Sequence, residues 1–355
     1  MTQPLGIGII GTGSIAQRRH LPAFLKLQAE GLVRVVALCD IDPPALQIAS
    51  AQAPEARAAT GYADLLAMPE VDAISICTPN YLHFQHVLDS FAAGKHVLCE
   101  KPLALNAVEG EAMVAAGHAA GKQFQVGLNI RFGAGPQAVK RFVDDGKLGD
   151  IYYARAHALR RRGIPGWGLF TQKDKQGGGP LIDIGVHILD LTLWLMGYPK
   201  PVSVSGQTYA KFGHREGVIG LMGQWDPKTF TVEDFAAGFV RFENGATLSL
   251  ESSFAANIAD GEYHTSILGT EGGAYLEPLN DAATRLFREE SGTLTDTTPV
   301  FLPTVQTHEA ELRAFVQALL TDTPVPVPGE EGLRVTRILD ALYLSAETGR
   351  EVRLD

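Results

Sequence analysis

The chain has 355 residues, which is long for a single hydrophobic core, so two domains are expected. Its net charge is −10 and its largest basic cluster is the "RRR" of 160–162, which argues against nucleic acid as a partner. Because no apolar run approaches the roughly 18 residues of a membrane helix and the N-terminus has no signal-peptide pattern, we expect no membrane partner.

The first part of the chain alternates between short apolar runs and alanine-rich helices. The strand-like runs are LGIGII, VRVVALC, DAISIC, KHVLC and QFQVGL, and helices are predicted over 14–29, 81–93 and 106–120. Buried strands separated by helices are typical of a parallel α/β sheet. Cys39, Cys77 and Cys99 each end such a run, where a thiol acts as a small hydrophobe. They indicate a reduced, cytoplasmic setting.

A glycine-rich loop follows the first strand and opens the first helix. Gly11 permits a tight turn, Gly13 lets the backbone approach a pyrophosphate, and Ala16 permits close packing of helix on strand. The free N–H groups at the start of the helix then face the anion. The sequence therefore predicts a dinucleotide site. The loop residues predicted to contact the cofactor are Gly11, Gly13, Ser14 and Ile15.

Asp40 ends the second strand, where a carboxylate accepts hydrogen bonds from the adenosine ribose. The same charge repels the extra phosphate of NADP, so we predict NAD as the preferred cofactor, with NADP possible. An alternative is that Asp40 caps the next helix, although Asp42, directly before Pro43, is the better candidate for that cap.

From about residue 150 the pattern changes to alternating segments separated by turn signals. Strand-like segments are IYYARAHALR, VSVSGQTYAKF, EDFAAGFVRFE, ATLSLESSF and YHTSILG, and Asn244-Gly245 is a strong hairpin dipeptide. Helices are predicted over 182–197, 306–320 and 329–347. The second part is therefore predicted to be an α+β domain with a mainly antiparallel sheet.

The segment GGGPLIDIGVHILDLTLWLMG, residues 177–197, is apolar except for three polar side chains on one helical stripe. We interpret His187 as a proton acceptor, because an imidazole titrates near neutral pH, and Asp183 as its partner toward a substrate hydroxyl. Alternatively, Asp183 is a helix N-cap, His187 is a core histidine, and Asp190 is structural. No third ligand accompanies Asp183 and His187, so we expect no metal there.

Three motifs together with the glycine loop carry a resemblance to a known family. CTPNYLH (77–83), CEKPLAL (99–105) and GGGPLIDIGVHILD (177–190) occur in an order that resembles the glucose–fructose oxidoreductase / inositol dehydrogenase (Gfo/Idh/MocA) family. The resemblance implies an NAD-binding Rossmann domain over 1–128. A substrate-binding α+β domain with a large, mainly antiparallel open sheet would follow over 129–355. It further implies NAD-dependent hydride transfer from a secondary alcohol of a sugar or cyclitol, with the active site in a cleft between the domains.

The resemblance also implies site residues. Lys101, which directly follows a strand, would stabilise alkoxide charge, and in the resembling enzymes the Lys101-Pro102 bond is typically cis. Lys101, Asp183 and His187 would form the catalytic trio. The other implied cofactor contacts are Thr78, Pro79, Asn80, His83 and Glu100.

Several of these contacts have alternatives. Asn80 is also suited to capping a helix, and His83 to buttressing the loop. Glu100 and Lys101 are alternatively a surface ion pair. The neighbouring Arg18 and Arg19 either reach the phosphates or lie on an exposed helix face.

For the substrate, Trp167 offers a flat face to a sugar ring, and Arg162 and Arg131 offer donors to hydroxyls or a carboxylate. Trp167 is alternatively an inter-domain packing residue. Family habit implies a homodimer or homotetramer through the second sheet. Two other activities occur among resembling proteins and stay open: an NAD-dependent glycosidase that oxidises its sugar transiently, and a non-catalytic NAD(P)-binding regulator.

Overall fold

A computed structural model describes residues 3–354 and divides them into two units. The first unit contains the chain up to Asn129 together with Gln306–Leu333, and the second contains Ile130–Val305 and the residues from Arg334 onward. The start of the second unit lies one residue from the predicted boundary. Within the predicted second domain of 129–355, residues 306–333 pack with the first unit.

The first unit is built on a parallel sheet. Its strands are β1 Leu5–Ile10, β2 Val33–Cys39, β3 Arg57–Ala59, β4 Ala73–Ile76, β5 His96–Glu100 and β6 Phe124–Gly127. Its first five helices are α1 Leu21–Ala29, α2 Pro43–Gln52, α3 Tyr62–Leu66, α4 His83–Ala92 and α5 Ala107–Ala120. The strand order β3-β2-β1-β4-β5-β6 is that of a dinucleotide-binding Rossmann domain. The order reverses between β1 and β4, and ligands of such sheets bind at that point.

Local sequence signals set several helix ends in this unit. Asp42 accepts a hydrogen bond from the Ala45 N–H and caps α2, as predicted. Asn106 caps α5 in the same way, and Gly121 ends that helix in the left-handed conformation. The predicted helix 14–29 begins at Ser14 and contains a π-helical turn, Ala16–His20, before it continues as α1.

The late segment 306–333 joins the first unit through its apolar side chains. Helix α9, Thr307–Thr321, contributes Leu312, Phe315 and Val316 to the core that also contains Phe24 of α1. The Val126 N–H of β6 donates to the Val327 carbonyl at 3.0 Å. Burial of this apolar stripe explains why a segment so late in the chain returns to the first unit.

The second unit contains a nine-stranded mixed sheet. Its strands are β7 Ile151–Leu159, β8 Pro201–Tyr209, β9 Phe235–Phe242, β10 Thr247–Ser253, β11 Glu262–Gly269, β12 Gly272–Glu277, β13 Asn280–Glu290, β14 Thr293–Thr297 and β15 Val352–Arg353. Apart from β7 and β10, which are parallel, neighbouring strands of this sheet pair antiparallel. The hairpin at Asn244-Gly245 is confirmed, with Gly245 at φ +85°.

Helices cover one face of this sheet. They include α6 Ala134–Asp144 and α8 Val186–Leu195, which pack on β7, β11, β12 and β13. The remaining helices of the chain are α7 Lys173–Gln176 and α10 Gly329–Thr348. Along β7 the buried Ala154, Ala156 and Ala158 face the helices, and the alternate residues lie on the other face.

The stretch Lys173–Leu195 is long and apolar enough to cross a membrane by composition alone. Most of its apolar window, 83%, is buried inside the protein, as in the core helix of a globular domain.

Candidate active site

The glycine loop of the first unit has the geometry that a dinucleotide requires. Gly11 has φ +88°, and a Cβ there would lie 2.7 Å from the Cys77 backbone, so only glycine fits. At Gly13, by contrast, a Cβ would meet nothing within 4 Å. This open space lies before the first turn of a helix, whose N–H groups favour a pyrophosphate. The donor set of this unit therefore fits NAD.

Asp40 is tied to the same loop. One carboxylate oxygen accepts hydrogen bonds from the Thr12 N–H at 2.6 Å and the Thr12 hydroxyl at 3.1 Å. The other accepts from the Asp42 N–H at 2.8 Å. A carboxylate offers about four acceptor positions. These three hydrogen bonds leave Asp40 one position to accept from a ribose hydroxyl. It does not cap α2, because Asp42 does.

The loop after β4 carries the next predicted contacts. Pro79 is exposed, and Thr78 and Asn80 are partly exposed. The Thr78 hydroxyl lies 3.2 Å from His86 Nδ1. A short helical turn, Asn80–Leu82, begins after Pro79, and α4 begins after Leu82, so Asn80 caps neither of them.

His83 buttresses this loop, which corrects its predicted role as a cofactor contact. Its ring is fully buried, with Nδ1 2.8 Å from the Pro102 carbonyl and Nε2 3.0 Å from the Thr78 carbonyl. Burial lowers the pKa of His83, so the ring is neutral and donates one hydrogen bond at a time. His83 therefore connects the loop after β4 to the loop after β5.

Lys101 directly follows β5, and the Lys101-Pro102 peptide bond is cis, as the resemblance implied. The Lys101 N–H donates to Oε2 of Glu100 at 3.2 Å. The side chain of Glu100 is buried, and its Oε1 lies 2.7 Å from Nε2 of His20. The surface ion pair of Glu100 with Lys101 is therefore wrong, because Glu100 is buried. One oxygen of its carboxylate is bound to a buried histidine, and its predicted cofactor contact stays a prediction.

The pair of His20 and Glu100 is a buried ion pair. Burial on its own lowers the pKa of His20, but the neighbouring Cys77 and Glu100 raise it well above its usual value. Burial likewise raises the pKa of Glu100, but His20, His308 and Lys101 together lower it. His20 Nδ1 also lies 2.8 Å from the Ser75 hydroxyl. The sequence reasoning missed His20, since nothing local in "QRRH" points to a carboxylate 80 positions away.

The stripe Asp183, His187 and Asp190 separates into two environments in the second unit. Asp190 is buried and bound by Nε of Arg131 at 2.7 Å, and it also pairs with Arg131 Nη2 and the Tyr198 hydroxyl. Asp183 and His187 are partly exposed. Asp190 is therefore structural, as its alternative stated. The predicted substrate contact of Arg131 is wrong, because its side chain is 2% exposed and serves this ion pair.

The helix that carries Asp183 and His187 begins on a buried carboxylate. Glu233 Oε2 accepts from the Gly179 N–H at 3.0 Å, and Oε1 accepts from the Leu181 N–H at 3.2 Å. Pro180 between them has no N–H, so both free donors at this helix start are satisfied. The Tyr343 hydroxyl donates to the same carboxylate at 2.9 Å. The N-cap residue is Pro180, so Asp183, inside the turn, is not the cap.

Gly178 and Gly179, which precede this helix, have no room for a side chain because the chain here lies against Tyr343 and Glu233. A Cβ on Gly178 would lie 1.9 Å from the Tyr343 hydroxyl, and one on Gly179 would lie 2.2 Å from the Glu233 carbonyl. Burial raises the pKa of Glu233 despite the hydrogen bonds that it accepts. The GGG motif therefore lets the chain approach Glu233 and Tyr343.

The side chains of the arginine run at 160–162 contact different partners. Arg162 donates to the carbonyls of Arg161 and Ala256 at 2.7 Å and to Oδ1 of Asn257. Arg160 Nη1 instead lies 3.8 Å from Oδ2 of Asp183. The substrate contact predicted for Arg162 is therefore replaced by a loop-holding role, and Arg160 is the arginine beside the candidate catalytic helix.

Trp167 is 53% exposed, and its ring meets Phe170 edge-on at 6.3 Å between centroids. Arg18 and Arg19 are also exposed, as one of their alternatives stated.

The fold and these residues define an oxidoreductase of two units, one of which binds a dinucleotide. Residues 5–128 match the NAD-binding Rossmann fold of the Gfo/Idh/MocA oxidoreductase family, and residues 140–354 match its C-terminal alpha/beta domain. The chain belongs to this family of oxidoreductases, and its first unit is an NAD-binding domain.

Three known proteins illustrate the similarity. D-Glucoside 3-dehydrogenase of Escherichia coli (strain K12) is 35% identical over 357 residues, which cover 99% of this chain and 98% of that protein. The structure of aldose-aldose oxidoreductase from Caulobacter crescentus, complexed with glycerol, is 27% identical with a TM-score of 0.81, covering 99% of this chain and 100% of that one. Levoglucosan dehydrogenase in complex with NADH and levoglucosan has a TM-score of 0.86 at 22% identity, covering 99% of each chain, and so shares the fold.

Proposed function

We propose that the protein oxidises a secondary alcohol of a sugar or cyclitol with NAD. His187 takes the proton of the reacting hydroxyl, Lys101 stabilises the developing alkoxide, and Asp183 hydrogen-bonds that hydroxyl. NAD supplies the hydride acceptor. The observation that carries the proposal is the pair Asp183 and His187, partly exposed on a helix whose other side chains are almost all buried. These two polar side chains are therefore placed where the helix meets solvent and where a substrate hydroxyl can reach them.

The substrate class rests on the relatives. D-Glucoside 3-dehydrogenase, similar over nearly the full length of both chains, supports a glycoside or free sugar with an oxidisable ring hydroxyl. Arg160 beside Asp183 and the exposed Trp167 supply the donors and the flat apolar face that such a ring favours.

The experiment is a panel of glycosides, aldoses and cyclitols in which NADH formation is followed by absorbance. His187→Ala should lower turnover on the best substrate by ~10²- to 10⁴-fold, while NAD binding, measured by fluorescence titration, stays unchanged. His214→Ala, a change on a loop of the second unit, serves as the matched control. A His187→Ala enzyme that turns over normally would show that another group is the base.

Asp40 supports a preference for NAD over NADP, because a carboxylate beside the ribose repels a 2′-phosphate. The specificity constants for the two cofactors test this. A higher value for NADP would overturn the preference, and Asp40→Ser should shift the ratio toward NADP.

We also propose a cytoplasmic homo-oligomer that associates through the helix-free face of the nine-stranded sheet. The three cysteines are buried free thiols, which supports a reducing compartment. Light scattering at micromolar concentration tests the oligomer, and a monomer mass would contradict it. Fractionation of the source cells tests the compartment.

A further inference from the structure

Two histidines and a glutamate meet on the nine-stranded sheet, on neighbouring strands of the second unit. His157 lies on β7, and Glu262 and His264 lie on β11, with His157 directly opposite His264 in the antiparallel ladder. One ligand atom from each of the three lies within 4.8 Å of the others. The sequence did not suggest this cluster, because His157 and Glu262 are 105 positions apart.

The distances within the cluster suit a metal ion better than hydrogen bonds. Oε2 of Glu262 is 3.3 Å from Nδ1 of His157 and 3.4 Å from Nε2 of His264. Both are long for an N–H···O bond, which is usually about 2.9–3.0 Å. Two ligands bound to one tetrahedral zinc ion at about 2.1 Å are about 3.4 Å apart. The two distances from the carboxylate oxygen to the nitrogens therefore match two edges of such a site, and the ligand atoms of the two histidines lie within 4.8 Å of each other.

We propose that His157, Glu262 and His264 bind a divalent transition metal of the Zn²⁺ class, with one position left open to water. Two imidazoles and one carboxylate are a donor set that zinc accepts. All three ligands come from one chain, so the site does not depend on an oligomer.

The surroundings favour a cation. Glu251 of β10 lies opposite His157 in the parallel ladder, and Glu277 of β12 is a further acidic neighbour of His264. Tyr275 covers His264 with its ring at 5.0 Å between centroids and limits the movement of the imidazole.

In a single copy of the chain the ligands are partly exposed, on the sheet face proposed above for association between copies, and they lie away from the candidate catalytic helix. Their side chains are 17% (His157), 46% (Glu262) and 15% (His264) exposed. The buried neighbours Ala156, Ala158 and Thr265 point to the helical face of the sheet, so the metal ligands, which alternate with them, lie on the opposite face. The site is therefore separate from Asp183 and His187.

Protein without an affinity tag, stripped with a chelator, tests the proposal by calorimetric titration with ZnCl₂ and by metal analysis after gel filtration. The full chain should bind one zinc ion saturably. His264→Ala and Glu262→Gln should each weaken binding about tenfold or more. The matched control is His118→Ala, which removes another histidine paired with a glutamate, Glu330, for which the described residues supply no third ligand. This variant should bind zinc as the unchanged protein does.

Cobalt(II) supplies a second readout, because tetrahedral coordination gives intense visible absorption that should disappear in His264→Ala. Circular dichroism and NAD binding establish that each variant is folded. The proposal is overturned if the unchanged protein shows no saturable zinc site. It is equally overturned if His264→Ala and Glu262→Gln bind zinc as tightly as His118→Ala does.

Discussion

Glu233→Gln tests whether the buried carboxylate holds the start of the candidate catalytic helix. The carboxylate accepts from two main-chain N–H groups, of Gly179 and Leu181, through different oxygens. Glutamine keeps the shape but has one acceptor oxygen, so one buried N–H faces an NH₂ group. A buried donor left without an acceptor costs ~1–3 kcal/mol. Since this loss falls on the first turn, local opening of residues 181–195 should become ~5- to 150-fold more frequent.

Hydrogen–deuterium exchange of peptides that cover 181–195, read at pH 7, measures that opening directly. In steady-state kinetics, Glu233→Gln should lower kcat and change the KM for NAD less, because the loop that binds the cofactor lies in the first unit. Tyr343→Phe is the matched control. It removes one donor to Glu233 and leaves both N–H groups paired, so its effect should stay near ~0.5–1.5 kcal/mol. Unchanged exchange in Glu233→Gln, or a larger effect in Tyr343→Phe, would refute the reasoning.

Three further predictions concern buried or clustered charges. The folded-state pKa of His20 lies above its unfolded value of ~6.5, so its stabilising contribution is complete below that pH and declines as pH rises through the folded pKa. The difference in thermal unfolding midpoint between the unchanged protein and His20→Gln should therefore shrink with rising pH, and a growing difference would contradict this. Asp190→Asn should destabilise the second unit by ~3–5 kcal/mol, measured by urea unfolding, because it leaves the buried Arg131 uncompensated; a loss below ~1 kcal/mol would oppose it. Arg160→Gln should raise KM for the sugar while Arg162→Gln should lower thermal stability with KM unchanged; the reverse pattern would exchange their roles.

The parts of the fold that the sequence predicted are those with a local signal. Continuous apolar runs predicted five of the six strands of the first sheet, and β1 and β2 match their predicted limits. The short and mostly exposed β3 was not predicted. The dipeptide Asn244-Gly245 gave its hairpin because a left-handed residue is needed there. Strands β12 to β15 were not predicted. Residues 280–297, which contain two of them, are mostly polar and exposed, so apolar alternation does not mark them.

Contacts between distant segments explain what was missed. The return of 306–333 to the first unit depends on Leu312 and Phe315 finding the α1 core, which periodicity along α9 does not reveal. The ion pair of His20 with Glu100 likewise joins two positions that only the completed sheet brings together. The chemical type of a side chain was therefore easier to predict than its partner.

The helix 181–195 and its approach show how partners divide residues of one type between roles. Asp183 and Asp190 lie on one stripe and are chemically equivalent in sequence, yet Asp190 is neutralised by the buried Arg131 and Asp183 lies at 3.8 Å from the partly exposed Arg160. A buried ion pair joined by two hydrogen bonds has little freedom to respond to a substrate. By contrast, Asp183 can exchange its longer, partly solvated contact with Arg160 for a substrate hydroxyl at small cost. The arginine that reaches each carboxylate therefore decides which aspartate is available for chemistry, and that choice is made outside the helix.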